Sequence, residues 1–123
     1  MSADNTIDAV RLALSLQEIR ARTASANVAN AGKPDATAQQ VDFASVEAAL
    51  RLAAHAGTES ESAQWLADAR RRLEGTEARE TLEPIRLDEQ VADIATAGVE
   101  YQALTESLSR RFGLMRLAIS GKN

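Results

Sequence analysis

Few residues in this chain could do chemistry. His55 is the only histidine of the 123 residues, and there is no cysteine. Thiol catalysis, disulfides, thiolate zinc sites and two-histidine metal sites are excluded together. Any Ser-His constellation would have to be built on His55 itself, which stands at a helix end just before Gly57. Carboxylate pairs occur at Glu59/Glu61 and Asp88/Glu89, but acid–base work needs two acids in unlike environments inside a cleft. These pairs sit in polar loops or helix starts, where solvated carboxylates are the norm. Arg70-Arg71-Arg72 could meet phosphate, yet Asp68 and Glu74 flank it at helical spacing and supply local partners. No phosphate-cradling glycine loop and no nucleotide fingerprint occurs. The expectation is therefore a non-enzyme with no cofactor, no metal and no small-molecule substrate.

Two segments need another explanation. Ser25-Ala26-Asn27-Val28-Ala29-Asn30 places two amides one turn apart among small residues that permit close backbone approach. Tyr101-Gln102-Ala103-Leu104-Thr105, followed by Leu108 to Arg116, carries apolar residues on more than one side of a helix.

The elements that must position these segments are helical. Capping side chains at Asp4-Asn5-Thr6 predict a helix over 7–31, closed by Gly32 and Pro34. Its apolar residues form two stripes, one through Leu12, Leu16, Ile19, Thr23 and Ala26, the other through Ile7, Val10, Leu14, Ala21, Ala24 and Val28. One buried face needs only one stripe, so burial on two sides is expected. A polar connector follows over 32–43, with a short extended piece at 40–43. Residues 44–86 read as an insert of two short helices, 44–56 and 63–73, with loops at 57–62 and 75–86. Val46, Leu50 and Ala53 would face inward on the first, and Trp65, Leu66, Ala69 and Leu73 on the second.

The last element spans 87–120. Leu87, Val91, Ile94, Gly98, Tyr101, Leu104, Leu108, Phe112, Met115 and Ile119 recur with a mean spacing of about 3.6 residues. Asp88 and Glu89 at its start and Arg110, Arg111 and Arg116 near its end suit the helix dipole. Such a helix is on the order of 50 Å long, too long for two short helices to cover. Its natural mate is the N-terminal helix. The predicted fold is all-α and a single domain: two long terminal helices side by side, antiparallel and coiled-coil-like, with a short helical insert.

Composition agrees. Hydrophobic residues make up 45% and aromatics only 3%, so the core is aliphatic and alanine-rich, which favours helix. Four aromatic residues are too few for base-stacking platforms, and no nucleic-acid partner is expected. No apolar run approaches the ~18 residues a membrane span needs, and no cleavable leader is visible. The net charge of −4 is uneven. Residues 1–41 balance, 42–100 hold thirteen acids against six bases, and 101–123 hold Glu106 against four bases. An acidic middle and a basic end point to contacts between copies.

Both unexplained segments resemble the terminal signatures of the flagellar axial proteins, and most closely those of the FlgB family of proximal rod proteins. Ser25–Asn30 fits the family's first motif. The threonine-proline-glycine-aromatic run that follows is represented by Lys33, Pro34, Asp35 and Ala36, where only the proline is kept. Val41-Asp42-Phe43, Leu87-Asp88-Glu89 and Tyr101–Arg116 fit the family's later segments, about 70 residues in all at the two ends. The resemblance implies a structural rod subunit that reaches the periplasm through the flagellar type III export apparatus, without a cleavable signal. There it would join copies of itself, other rod proteins and the adaptor between rod and membrane ring. Ala24, Ala26, Asn27, Ala29 and Asn30 would make close contacts on the first helix. Tyr101, Leu104, Leu108, Phe112, Leu114 and Met115 would form apolar seams on the last, with Arg110, Arg111 and Arg116 meeting carboxylates of neighbours. The alternative from another class is a soluble cytoplasmic helical-bundle adaptor or regulator.

Overall fold

The computed structural model describes residues 1–120, apart from the side chains of 115 and 118–120. In chain order the elements are α1 (Ala3–Asn30), β1 (Thr37–Gln40), α2 (Ala44–Ala54), α3 (Glu59–Glu74), β2 (Arg79–Pro84) and α4 (Leu87–Ser120). The long terminal helices lie antiparallel. Asn27 of α1 bonds Gln90 near the start of α4, and ten residues earlier Gln17 bonds Glu100. At ~1.5 Å per residue α1 is about 42 Å long and α4 about 51 Å, so the end of α4 runs past the start of α1.

α2 and α3 form a helical hairpin that packs on α1 and not on α4. Their shared core is small-residue packing: Leu12 of α1, Ala49 and Ala53 of α2, and Leu66 and Ala69 of α3, with Leu50, Trp65 and Leu73 around it. Alanines at the crossing let helix axes come within the 8–10 Å at which side chains interdigitate. Ser62 is buried there and donates from Oγ to the Ala53 carbonyl at 2.9 Å, so burial leaves its hydroxyl satisfied. Arg70 pairs with Asp8 across to α1, while Arg71 and Arg72 both pair with Asp68. The arginine triplet is thus a paired helix face.

Several boundaries move. Ser2, not Asp4-Asn5-Thr6, caps α1, its Oγ accepting the Asn5 N–H at 3.1 Å. Thr58 caps α3 through the Glu61 N–H, so that helix begins inside the expected loop at 57–62. Gly32 closes α1 without left-handed geometry. The one non-glycine residue with positive φ among the described residues is Asp35, at 58°. The connector and the 75–86 loop also contain strands. β1 and β2 pair antiparallel, Gln39 opposite Glu80 and Thr37 opposite Pro84, with an irregularity between. The extended segment lies at 37–40 rather than 40–43. Single short strands of polar residues carry little periodic signal, and this pair is held by side chains distant in sequence.

Candidate assembly surface

The seam between α1 and α4 is built from small and polar residues. On α1 it buries Ala24, Gln17 and Asn27, the last only 2% exposed. On α4 it buries Ala97 and half-buries Gln90, Leu104 and Arg111, four residues at seven-residue steps. Asn27 is satisfied three ways. It accepts the Gln39 N–H at 2.8 Å, donates to the Gln39 carbonyl at 3.0 Å and donates to Gln90 Oε1 at 3.0 Å. A buried amide so used fixes the rotation of α4 about its own axis, as a polar residue in a helical seam fixes register. Arg20 adds a second tie. It pairs with Glu47 of α2 at 2.6 Å and Glu100 of α4 at 3.8 Å, and stacks 5.0 Å from the Phe43 ring centroid.

This rotation turns only one edge of the long apolar stripe of α4 towards the seam. Ile94, Leu104 and Leu108 are half-buried there with Gln90 and Ala97, and the rest of the stripe is left on the flank. Leu87, Val91, Tyr101 and Phe112 are 52%, 57%, 38% and 40% exposed, with Gly98 also open. Tyr101 Oη donates to Glu18 at 3.5 Å, which places the stripe on the side of α1 turned away from Glu47 and α2. On that side α1 offers its second stripe, Val10, Leu14 and Ala21, all half-buried. Together they form a two-helix apolar face that α2 and α3 do not cover. From the other stripe of α1, Leu12 is absorbed into the core with α2 and α3, Leu16 is buried, and Ile19, Thr23 and Ala26 are half-buried. The back of α4 adds Val99, Leu114 and Leu117, each about two-thirds exposed.

The expected interface residues divide accordingly. Ala24 and Asn27 are spent within the chain; Ala26 and Asn30 are half-buried and Ala29 is exposed. Leu104, Leu108 and Arg111 are half-buried, while Tyr101, Arg110, Phe112, Leu114 and Arg116 are exposed. The Met115 side chain lies outside the described residues. Gln17, Arg20 and Gln90 carry no signal in the apolar spacing, because a polar residue at a seam is recognisable only once its partner is known.

Two concave spaces flank the seam. One, of about 900 Å³, lies between the C-terminal half of α1, the two strands and the start of α4, and is lined by polar groups including Arg20, Gln40, Glu83 and Asp93. The other, of about 510 Å³, lies between α2 and α4 over Leu16 and is walled by Leu50, Ala103 and Leu104. Neither brings a nucleophile to a base. His55 Nδ1 lies 2.9 Å from the Arg51 carbonyl at an exposed helix end. The Glu59 carboxyl is held below its usual range, chiefly by the Ser2 N–H that donates to it at 2.6 Å. That contact ties the start of α1 to the start of α3. Among the described residues no helix is long and apolar enough to cross a membrane. In comparisons with known proteins, no family, curated protein or solved structure matches the chain.

Proposed function

We propose that this chain is a structural subunit of the proximal flagellar rod, assembling through its terminal helices rather than catalysing a reaction. The observation that carries the reading is the uncovered apolar face of the α1–α4 pair. Large exposed apolar patches mark interaction surfaces. Local geometry supports the resemblance at three further points. The family writes glycine where this chain has Asp35, and Asp35 is the residue in the left-handed region that favours glycine. Asp42 of Val41-Asp42-Phe43 accepts the Ala44 N–H at the start of α2, and Phe43 receives Arg20. Asn27 of the first motif holds β1 to α1. In this reading the subunit leaves the cell through the type III export channel and joins copies of itself, other rod proteins and the rod's membrane-ring adaptor.

Replacing Leu108 or Phe112 with Asp is expected to abolish assembly and motility, because a buried unpaired charge costs several kcal/mol. Normal motility in cells carrying either change would sink the reading. One observation favours the alternative of a helical adaptor. One stripe of α1 is already buried or half-buried within the chain, which leaves less apolar surface than the sequence promised, and a single partner could cover it. Co-purification with basal bodies separates the two, since an adaptor would stay behind.

A further inference from the structure

The cleft of about 510 Å³ between α2 and α4 has the shape of a helix site. Ala13 and Leu16 of α1 form its floor, Leu50 of α2 one wall, and Ala103 and Leu104 of α4 the other. It exists because the α2–α3 hairpin packs on α1 and not on α4, which leaves a trough along α1 between two helical walls. A helix laid in it would complete a four-helix arrangement, with apolar side chains at i, i+3, i+4 and i+7 pointing down. Arg20 stops the trough at one end, where it pairs with Glu47 of α2 and Glu100 of α4. Towards the other end the α4 wall continues. Leu114 lies eleven residues, or three helical turns, beyond Ala103 and is 67% exposed.

The charges around the trough say what that helix would carry. Its two acids are already used: Glu47 and Glu100 both pair with Arg20, and Glu100 also accepts from Gln17 at 2.6 Å. Its remaining cations are not. Arg51 follows Leu50 on the α2 lip, and Arg110 and Arg111 stand seven residues beyond Ala103 and Leu104, so they extend the same wall of α4. Among the described residues none of these three pairs with a carboxylate of the chain, whereas each arginine of the α3 triplet does. An apolar trough with unspent positive lips complements an apolar stripe bordered by carboxylates. We propose that this trough docks an amphipathic helix of a partner protein whose apolar stripe is flanked by Asp or Glu. The site lies on the α2 side of α4, away from the flank that carries Leu87, Val91 and Tyr101. It is therefore independent of the face on which the rod reading rests.

The test uses the full chain and two synthetic helical peptides with leucines at i, i+3, i+4 and i+7, one bordered by glutamates and its twin by lysines. Fluorescence anisotropy is expected to show the glutamate peptide binding at least about tenfold more tightly than its twin. That preference falls as salt is raised. Ala103→Trp fills the trough from an exposed position, so it weakens the glutamate peptide at least about tenfold while helicity by circular dichroism is retained. Arg51→Glu reverses one lip and also weakens it, and Val91→Asp, on the other flank, leaves binding unchanged. Failure of both peptides to bind, equal binding of the two, or binding that survives Ala103→Trp overturns the proposal. So does binding lost with Val91→Asp, which would place the peptide on the opposite flank. A chain that dimerises by itself and loses the dimer with Ala103→Trp would give the trough to a second copy, and equally overturn it.

Discussion

Asn27 offers the sharpest test of how the chain positions its terminal helices. It is 2% exposed, and its amide makes three hydrogen bonds, two to the main chain of Gln39 and one to Gln90. Asn27→Ala removes all three at once and strands a strand N–H, a strand carbonyl and a half-buried amide oxygen. A typical bond contributes about 1 kcal/mol net, and a stranded buried group costs about 1–3 kcal/mol. Water can reach Gln90, so the loss is expected at about 2–4 kcal/mol, a large share of the ~5–15 kcal/mol that holds a domain of this size together. Asn27→Asp should cost at least as much, since a carboxylate cannot donate and would face two acceptor oxygens. Asn30 is the other amide of the same motif. The bond it makes to the Lys33 N–H at 3.0 Å comes from its main-chain carbonyl, so Asn30→Ala keeps it. Urea unfolding of the three variants measures the differences, and amide exchange at Gln39 reports whether β1 has come loose. A loss under ~0.5 kcal/mol for Asn27→Ala, or Gln39 exchange unchanged, would refute this account of the seam.

Two further predictions follow from single residues. Asp35 occupies the left-handed region, which costs a residue with a Cβ about 1 kcal/mol. Asp35→Gly is therefore expected to be neutral or to raise stability by up to that amount, and Asp35→Val to lower it, by thermal melting. Glu59 has a lowered folded pKa, so its contribution is fully present above its unfolded pKa and is lost as pH falls through the lower folded value. The stability difference between wild type and Glu59→Gln, measured by denaturation from neutral to strongly acidic pH, should shrink only in the acid range. A difference that persists at the acid end would show that the Ser2 contact does not depend on charge.

The helical scaffold was legible because its signals are local. The apolar spacing of 87–120, the absence of Pro and Gly over 7–30, and the helix stop near Gly32 each act within a few turns. The mating of α1 with α4 followed from length alone, since the two short helices could not cover α4. The rotation of α4 was hidden, because it depends on Asn27 finding Gln90 and Gln17 finding Glu100, contacts between residues far apart in sequence. The same holds for β1 and β2: Gln39 is a strand residue because Asn27 and Glu80 meet its main chain. The two-stripe character of α1 was readable, but whether α2 and α3 or another copy covers a stripe depends on where the insert folds back. Of the residues expected at an interface, Tyr101 and Phe112 are exposed on the flank of α4, whereas Ala24 and Asn27 are consumed inside the chain.

The rod assignment is tested most directly by deleting the gene and imaging isolated basal bodies by electron microscopy. The account predicts non-motile cells whose basal bodies keep their membrane rings but have no rod, with both restored by the wild-type gene. Motile cells with intact rods would contradict it and leave the helix-pair face to a partner outside the flagellum.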